Sequence, residues 1–240
     1  TYADERFGWS VDIKENVGEA FIAIGATRSG DDDDGQVYIW RWDESTQTAT
    51  LEATFGPNSI PKIESAFGQS VALDIDPSGD IVLAVGNATQ AEPASPDGTT
   101  GAVDILRRDA GTGIWAHEQT IEPGDEFSDA YSTLAFGYDV AIEDGRLVVG
   151  APLSGLYGTY SGDALLFSVS DRQPYTWSLE SYLDNPTGRA FDLFGWCVEI
   201  SNAHDQVFVS NPRSDYVGRD AGLVAVFEPD PTASWSLLDW

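Results

Sequence analysis

Apolar and polar positions alternate in short runs along this chain and nowhere settle into a sustained 3.6-residue period, so the pattern predicts strands rather than helices. The clearest stretch is Phe136 to Pro152, FGYDVAIEDGRLVVGAP. Phe136, Val140 and Ile142 alternate with more polar positions. Leu147, Val148 and Val149 then form an apolar run closed by Gly-Ala-Pro. Glu143, Asp144 and Gly145 supply a tight turn between them, with Gly145 able to take φ > 0. A single hairpin of this kind is marginal in water, so it must belong to something larger.

The same pattern occurs four times. Phe-Gly-x-x-Val stands at Phe7, Phe67, Phe136 and Phe194, at spacings of 60, 69 and 58 residues. A second apolar strand follows each: 21–26, 81–88, 147–152 and 207–212, with Gly25, Gly86, Gly150 and then Ser210 in register. A third strand opens on glycine at 35–40, 101–106, 162–167 and 222–227. A fourth closes each unit at 49–54, 115–120, 177–182 and 235–240, where Ala49, Trp115, Trp177 and Trp235 share one position. Four short strands per unit of about 60 residues predict an all-β propeller of four-stranded antiparallel blades in one domain, 1–240. The units are 7–56, 67–122, 136–183 and 194–240. The ring is either a closed set of four blades or part of a larger propeller or array. In this scheme strand order follows sequence order, and the four Phe-Gly phenylalanines fill space between blades. The polar fourth strands, with Glu52, His117, Glu118, Glu180 and Asp239, are edges that resist pairing with other chains.

The unit FG-x-[S/D/C]-V … VVGAP … G-x-V-Y-[I/V]-[W/F] … W-x-L resembles the FG-GAP repeat of integrin α-subunit propellers and of many microbial and algal surface proteins. The resemblance covers essentially the whole chain. It implies an extracellular recognition, adhesion or structural module without catalytic activity.

Charge changes the picture of partners. The 240 residues hold 40 Asp+Glu against 12 Lys+Arg, a net charge of −28, with Lys14 and Lys62 the two lysines. Such a surface repels nucleic acid and anionic lipid. It fits a high-salt medium or an extracellular one containing calcium. No stretch reaches the ~20 apolar residues of a membrane helix. The lack of methionine leads to the expectation of a processed N-terminus or a fragment, and a lone Cys197 excludes an intrachain disulfide.

Two acidic stretches are candidate Ca²⁺ ligands. Asp74, Asp76 and Asp80 space alternate oxygens around a Gly turn, like a shortened calcium loop. The resemblance places metal loops of this family in that same position, between first and second strands. Asp31 and Asp33 belong to a run of four adjacent carboxylates that either binds a cation or is simply solvated. Asn87-Ala88-Thr89 is an N-glycosylation triplet. His117 and His204 lie in different units and form no triad, and no nucleophile or phosphate-loop motif is present.

Binding is expected on the face where the strand-two-to-three loops (27–34, 89–100, 153–161, 211–221) and the linkers (55–66, 121–135, 183–193) emerge. These are the longest and most varied segments. They carry Tyr157, Tyr160 and Tyr216 with Arg28, Arg213 and Arg219, a composition suited to a protein, a glycan or a neighbouring copy. The competing expectation is a propeller enzyme, or an accessory domain of a secreted hydrolase, with its site in a central pocket.

Overall fold

The computed structural model describes residues 5–29, 34–56, 66–88, 101–124, 134–155, 158–170, 173–230 and 234–239. Among them are sixteen strands and no helix. They form four antiparallel sheets of four strands, each ordered as in the chain. Sheet 1 is β1 (Phe7–Asn16), β2 (Glu19–Ala26), β3 (Gln36–Asp43) and β4 (Thr48–Phe55). Sheet 2 is β5 (Phe67–Ile75), β6 (Ile81–Asn87), β7 (Ala102–Arg108) and β8 (Trp115–Ile121). Sheet 3 is β9 (Val140–Glu143), β10 (Arg146–Ala151), β11 (Asp163–Val169) and β12 (Trp177–Leu183). Sheet 4 is β13 (Val198–Ser201), β14 (Gln206–Asn211), β15 (Leu223–Asp230) and β16 (Ser234–Asp239).

The sheets pack face to face in chain order through three apolar cores. One joins Phe21, Val37 and Ile39 of sheet 1 to Phe67, Leu73 and Leu83 of sheet 2. The next joins Val103 and Ile105 to Phe136, Val149 and Leu165. The last joins Val148 and Leu166 to Phe194, Val207 and Phe227. No core joins sheet 4 to sheet 1 among the described residues, so the stack is open. Sheets 2 and 3 are covered on both faces, which is why every residue of β6 is buried. Sheets 1 and 4 are each covered on one face, and their second strands alternate accordingly.

The Phe-Gly motif does not simply begin each first strand. Phe136 and Phe194 form isolated parallel bridges to Gly101 and Gly162, one sheet back along the chain. The Phe67 amide likewise donates to Asp34 O at 3.0 Å. Each phenylalanine therefore reaches under the preceding sheet, and the glycine after it takes φ near +85° to make the turn. Phe67, Phe136 and Phe194 are fully buried as expected. Phe7 departs from that expectation at 55 % exposed, because no preceding sheet covers it. The second-strand glycines serve the same junctions. A Cβ on Gly25, Gly86 or Gly150 would overlap the carbonyl oxygen of Gly68, Gly137 or Gly195 of the next sheet.

The fourth strands share a second device. In each sheet the register between third and fourth strands slips by one residue, at Ile39/Trp40, Ile105/Leu106, Leu166/Phe167 and Val226/Phe227. The extra residues are Glu52, Glu118, Glu180 and Leu238. A bulge re-aims its side chain, and the three glutamates accept the indole N–H of Trp115, Trp177 and Trp235 from the next sheet, at 2.8–2.9 Å. The fourth strands do form the sheet edges, and these glutamates have a further role there in tying one sheet to the next.

Candidate functional site

The strand-two-to-three loops share one base in the three sheets where they are described. Ser29, Ser154 and Ser214 are buried. Each amide donates to the end of the second strand, at Ala26, Ala151 and Asn211, and each carbonyl accepts the N–H of the glycine that opens the third strand, at 3.0–3.1 Å. Arg28, Leu153 and Arg213 precede these serines, and their amides donate to Glu5, Leu134 and Asp192, just before each Phe-Gly. Loops that vary in sequence thus leave the sheets from an identical anchor. The serine recurring four residues after Gly25, Gly150 and Ser210 was the signal available in the sequence for this.

At the edge of sheets 3 and 4 the loops meet. Asn185 is buried and donates to Ser161 O at 3.0 Å, while its Oδ1 accepts Asn211 Nδ2 at 3.2 Å and the Thr187 amide at 3.0 Å. Asp192 accepts the Thr187 hydroxyl and the Arg189 amide. This network fixes linker 183–193 against the two neighbouring loops. Above it Tyr160 and Phe191 pack edge to face at 5.8 Å, both exposed. Tyr216 is 54 % exposed and Val217 lies beside it in the next loop. Arg213 is exposed there, and Arg219 lies within 3.7 Å of Asp220 in open solvent. Arg28 takes the equivalent position on sheet 1, at the other end of the stack. Phe191 was not anticipated, since an apolar residue in a linker reads as core. Tyr157 lies outside the described residues.

Of the candidate metal residues, Asp76 and Asp80 stay together about one Arg107 nitrogen, at 2.5 and 3.7 Å. Asp74 pairs with Lys14 at 2.8 Å and accepts the Asp144 amide of sheet 3 at 2.8 Å. Asp76 caps its own turn, accepting the amide and hydroxyl of Ser78 at 2.8 and 2.6 Å, and pairs with Arg107. Asp80 accepts the Ala110 amide at 2.9 Å. Burial works against the Asp76 anion, but the Ser78 bonds and Arg107 hold its carboxyl below the usual range. Among the described residues no three His, Cys, Asp or Glu side chains converge for a metal. Asp31 and Asp33 lie outside them. Asn87 is 2 % exposed at the end of β6.

Two hollows remain. One, of about 700 Å³, lies between sheets 2 and 3 and is bordered by Asp76, Arg107, Arg146, Tyr175, Trp177 and Glu180. Its two arginines are already paired: Arg107 bonds Asp76 and Glu118 under the Tyr175 ring, and Arg146 pairs with Asp205 and faces Trp235. The other, of about 330 Å³, is bordered by all four first strands. Asp12, Lys14, Asp139, Glu143 and Glu199 line it. Burial pushes Asp139 up to about 6, against the pull of the Val198 and Val140 amides, with Glu199 adding to the rise. Burial alone would lower Lys14, but the bond and charge of Asp74 carry it above its ordinary value. His117, read as a surface histidine, instead sits 3.0 Å from buried Asp104 in the second sheet, whose carboxyl burial raises.

No protein-family model matches the chain, and no curated protein matches it.

Proposed function

We propose that this chain is an arc of FG-GAP-like propeller blades working as a non-enzymatic extracellular recognition module, holding a protein or glycan at its loop edge. The observation that carries the reading is the serine-anchored loop base, repeated on sheets 1, 3 and 4. It keeps the loop bodies free to differ while their roots stay rigid, the usual division between scaffold and binding surface. Tyr160 and Phe191 pack where loop 153–161 meets the pinned linker, and Tyr216 and Val217 are exposed on the neighbouring loop 211–221. Aromatic rings there give contact area at low entropic cost. Arg213 and Arg219 balance Asp215 and Asp220 in the same loop, so this part of the edge is close to neutral in a chain of net −28. The propeller part of the proposal is supported by the stacking of sheets in chain order, with every first strand bordering one space.

The test is Tyr160→Ser with Tyr216→Ser and Arg213→Ala, compared with wild type on arrays of glycans and of extracellular proteins. Wild-type hits that vanish while the melting temperature holds support the loop edge. Hits retained at full strength overturn it.

A second reading, an enzyme acting in the space between first strands, draws support from Asp139. A carboxyl that stays protonated up to about pH 6 suits a general acid. The Asp139 carboxylate is already engaged by the Val198 amide at 2.8 Å, which favours a structural role. Hydrolysis of glycoside, ester or peptide substrates that is lost in Asp139→Asn would reverse that preference.

A further inference from the structure

The open end of the stack at sheet 1 is built like a junction whose partner is missing. Gly8 has φ +85°, against +83°, +83° and +85° for Gly68, Gly137 and Gly195. The residue before each phenylalanine also has positive φ, at Arg6, Ala66, Ala135 and Leu193. The turn bond from Trp9 N to Arg6 O, 3.0 Å, repeats as Gln69 to Ala66 and Tyr138 to Ala135. The docking strand is thus already in its docked conformation. Its cover alone is lacking: a Cβ on Gly8 would meet nothing within 4 Å, and Phe7 stands out in solvent.

The face behind Phe7 agrees. Strand register sets Val11, Ile24 and Tyr38 in one row and Ile13, Ile22, Trp40 and Leu51 in the next, all on the side away from sheet 2. Val11, Ile13 and Leu51 are 66 %, 54 % and 50 % exposed. Sheet 1 also carries Ala49 where Trp115, Trp177 and Trp235 each donate across a junction.

The other end of the stack is built differently. Where Gly25, Gly86 and Gly150 leave room for the next sheet's Phe-Gly strand, sheet 4 has Ser210, whose hydroxyl accepts the Cys197 amide at 2.8 Å. Its Cβ stands where an incoming glycine carbonyl lies in the other three junctions. Leu238 occupies the bulge that elsewhere holds the glutamate acceptor. In the geometry of the three existing junctions, sheet 4 cannot receive Phe7, either by closing this chain on itself or from a second copy.

We propose that the outer face of sheet 1 is a docking surface for a further four-stranded sheet of the same repeat, one carrying glycine in its second strand to seat Phe7. The nature of the partner rests on the repeat reading above, but not on the loop edge as a binding site. Three formed junctions fix what the fourth requires: a flat apolar sheet with a gap for Gly8 O and a recess for the Phe7 ring.

The experiment supplies the missing receiving face on the full chain. Ser210→Gly is compared with wild type by sedimentation velocity across a concentration series, then combined with Ala49→Trp and Leu238→Glu to add the indole–carboxylate tie. Circular dichroism checks the fold, and Ser210→Gly, which removes a side chain where three sister positions have none, provides the arm least exposed to misfolding. Wild type is expected to stay monomeric. Ser210→Gly is expected to self-associate about tenfold more tightly or better, and more tightly still with the tie. Phe7→Ser added to either should abolish the gain. Association of wild type that Phe7→Ser removes would make a second copy the occupant and overturn the proposal. A folded Ser210→Gly chain that remains as monomeric as wild type would overturn it as well. Neither result touches the array test of the loop edge, so the two readings fail separately.

Discussion

The same residue in the same motif should carry very different weight in different sheets, and Phe136 and Phe7 measure the difference. Phe136 is fully buried between sheets 2 and 3, with the Phe167 ring edge-on at 6.1 Å. Complete burial of such a side chain contributes about 2–3 kcal/mol by transfer. Truncation to Ala also leaves a cavity walled by Val103, Leu134 and Val149, in a core held by two flanking sheets that cannot collapse into it. The expected loss is about 3–5 kcal/mol. Phe7 is 55 % exposed, leaving roughly 45 % covered, so its transfer contribution is about 1 kcal/mol. It touches Tyr38 at 5.3 Å, and the space it leaves opens to solvent with no cavity cost. Urea titrations of Phe136→Ala and Phe7→Ala, followed by circular dichroism, should therefore differ by about 2–4 kcal/mol at constant m-value. Equal losses would refute the reasoning, because they would mean that the outer face of sheet 1 is covered in solution.

Other expectations follow from the junctions and the charge. Trp177→Phe keeps the ring and removes the bond to Glu118, and should cost about 1 kcal/mol; Glu118→Ala also deprives Arg107 of a partner and should cost about 2–3 kcal/mol, Asp76 remaining to it. Equal melting temperatures for the two variants would show that the arginine is indifferent to the loss. Asp139 and Asp163 are both pushed up to about 6, chiefly by burial, so the folded chain binds more protons than the unfolded one between the ordinary carboxylate range and that value. Stability from these two groups is then greatest when they are protonated and falls as pH rises between roughly 4 and 6, by about 3 kcal/mol per group at most. Asp139→Asn or Asp163→Asn should flatten that slope in urea midpoints taken across the window, and an unchanged slope in both would remove the assignment. The net charge of −28 predicts a melting temperature that climbs with NaCl as the screening length contracts to ~3 Å in molar salt. A curve flat in both NaCl and CaCl₂ would remove the screening and the calcium expectations together.

The local structure was legible from the chain alone. Period-two alternation, Gly145 in its turn, and four copies of the same order of strands determine sixteen short strands and their order within each sheet, because these depend on neighbours a few residues away. Even the backbone of Phe7-Gly8 obeys this rule, since it adopts the shape of its three sisters with nothing packed on it. What covers each face is another matter. Phe7 and Phe136 share a motif, yet one is exposed and the other buried, because burial is decided by the sheet that precedes each of them in space. Glu52, Glu118 and Glu180 read as edge residues, and only the folded sheets show the bulge that turns them toward the next sheet's tryptophan. Asp74 and Asp76 read as oxygen donors of one turn, and their pairing with Lys14 from sheet 1 and Arg107 from β7 appears only in the folded stack. Tyr160 and Tyr216 were legible as exposed aromatics, but the pairing of Tyr160 with Phe191 needed the Asn185 network that pulls three loops together. A strand's pattern records which of its faces are apolar; the identity of the partner on that face is a long-range contact that only the folded stack supplies.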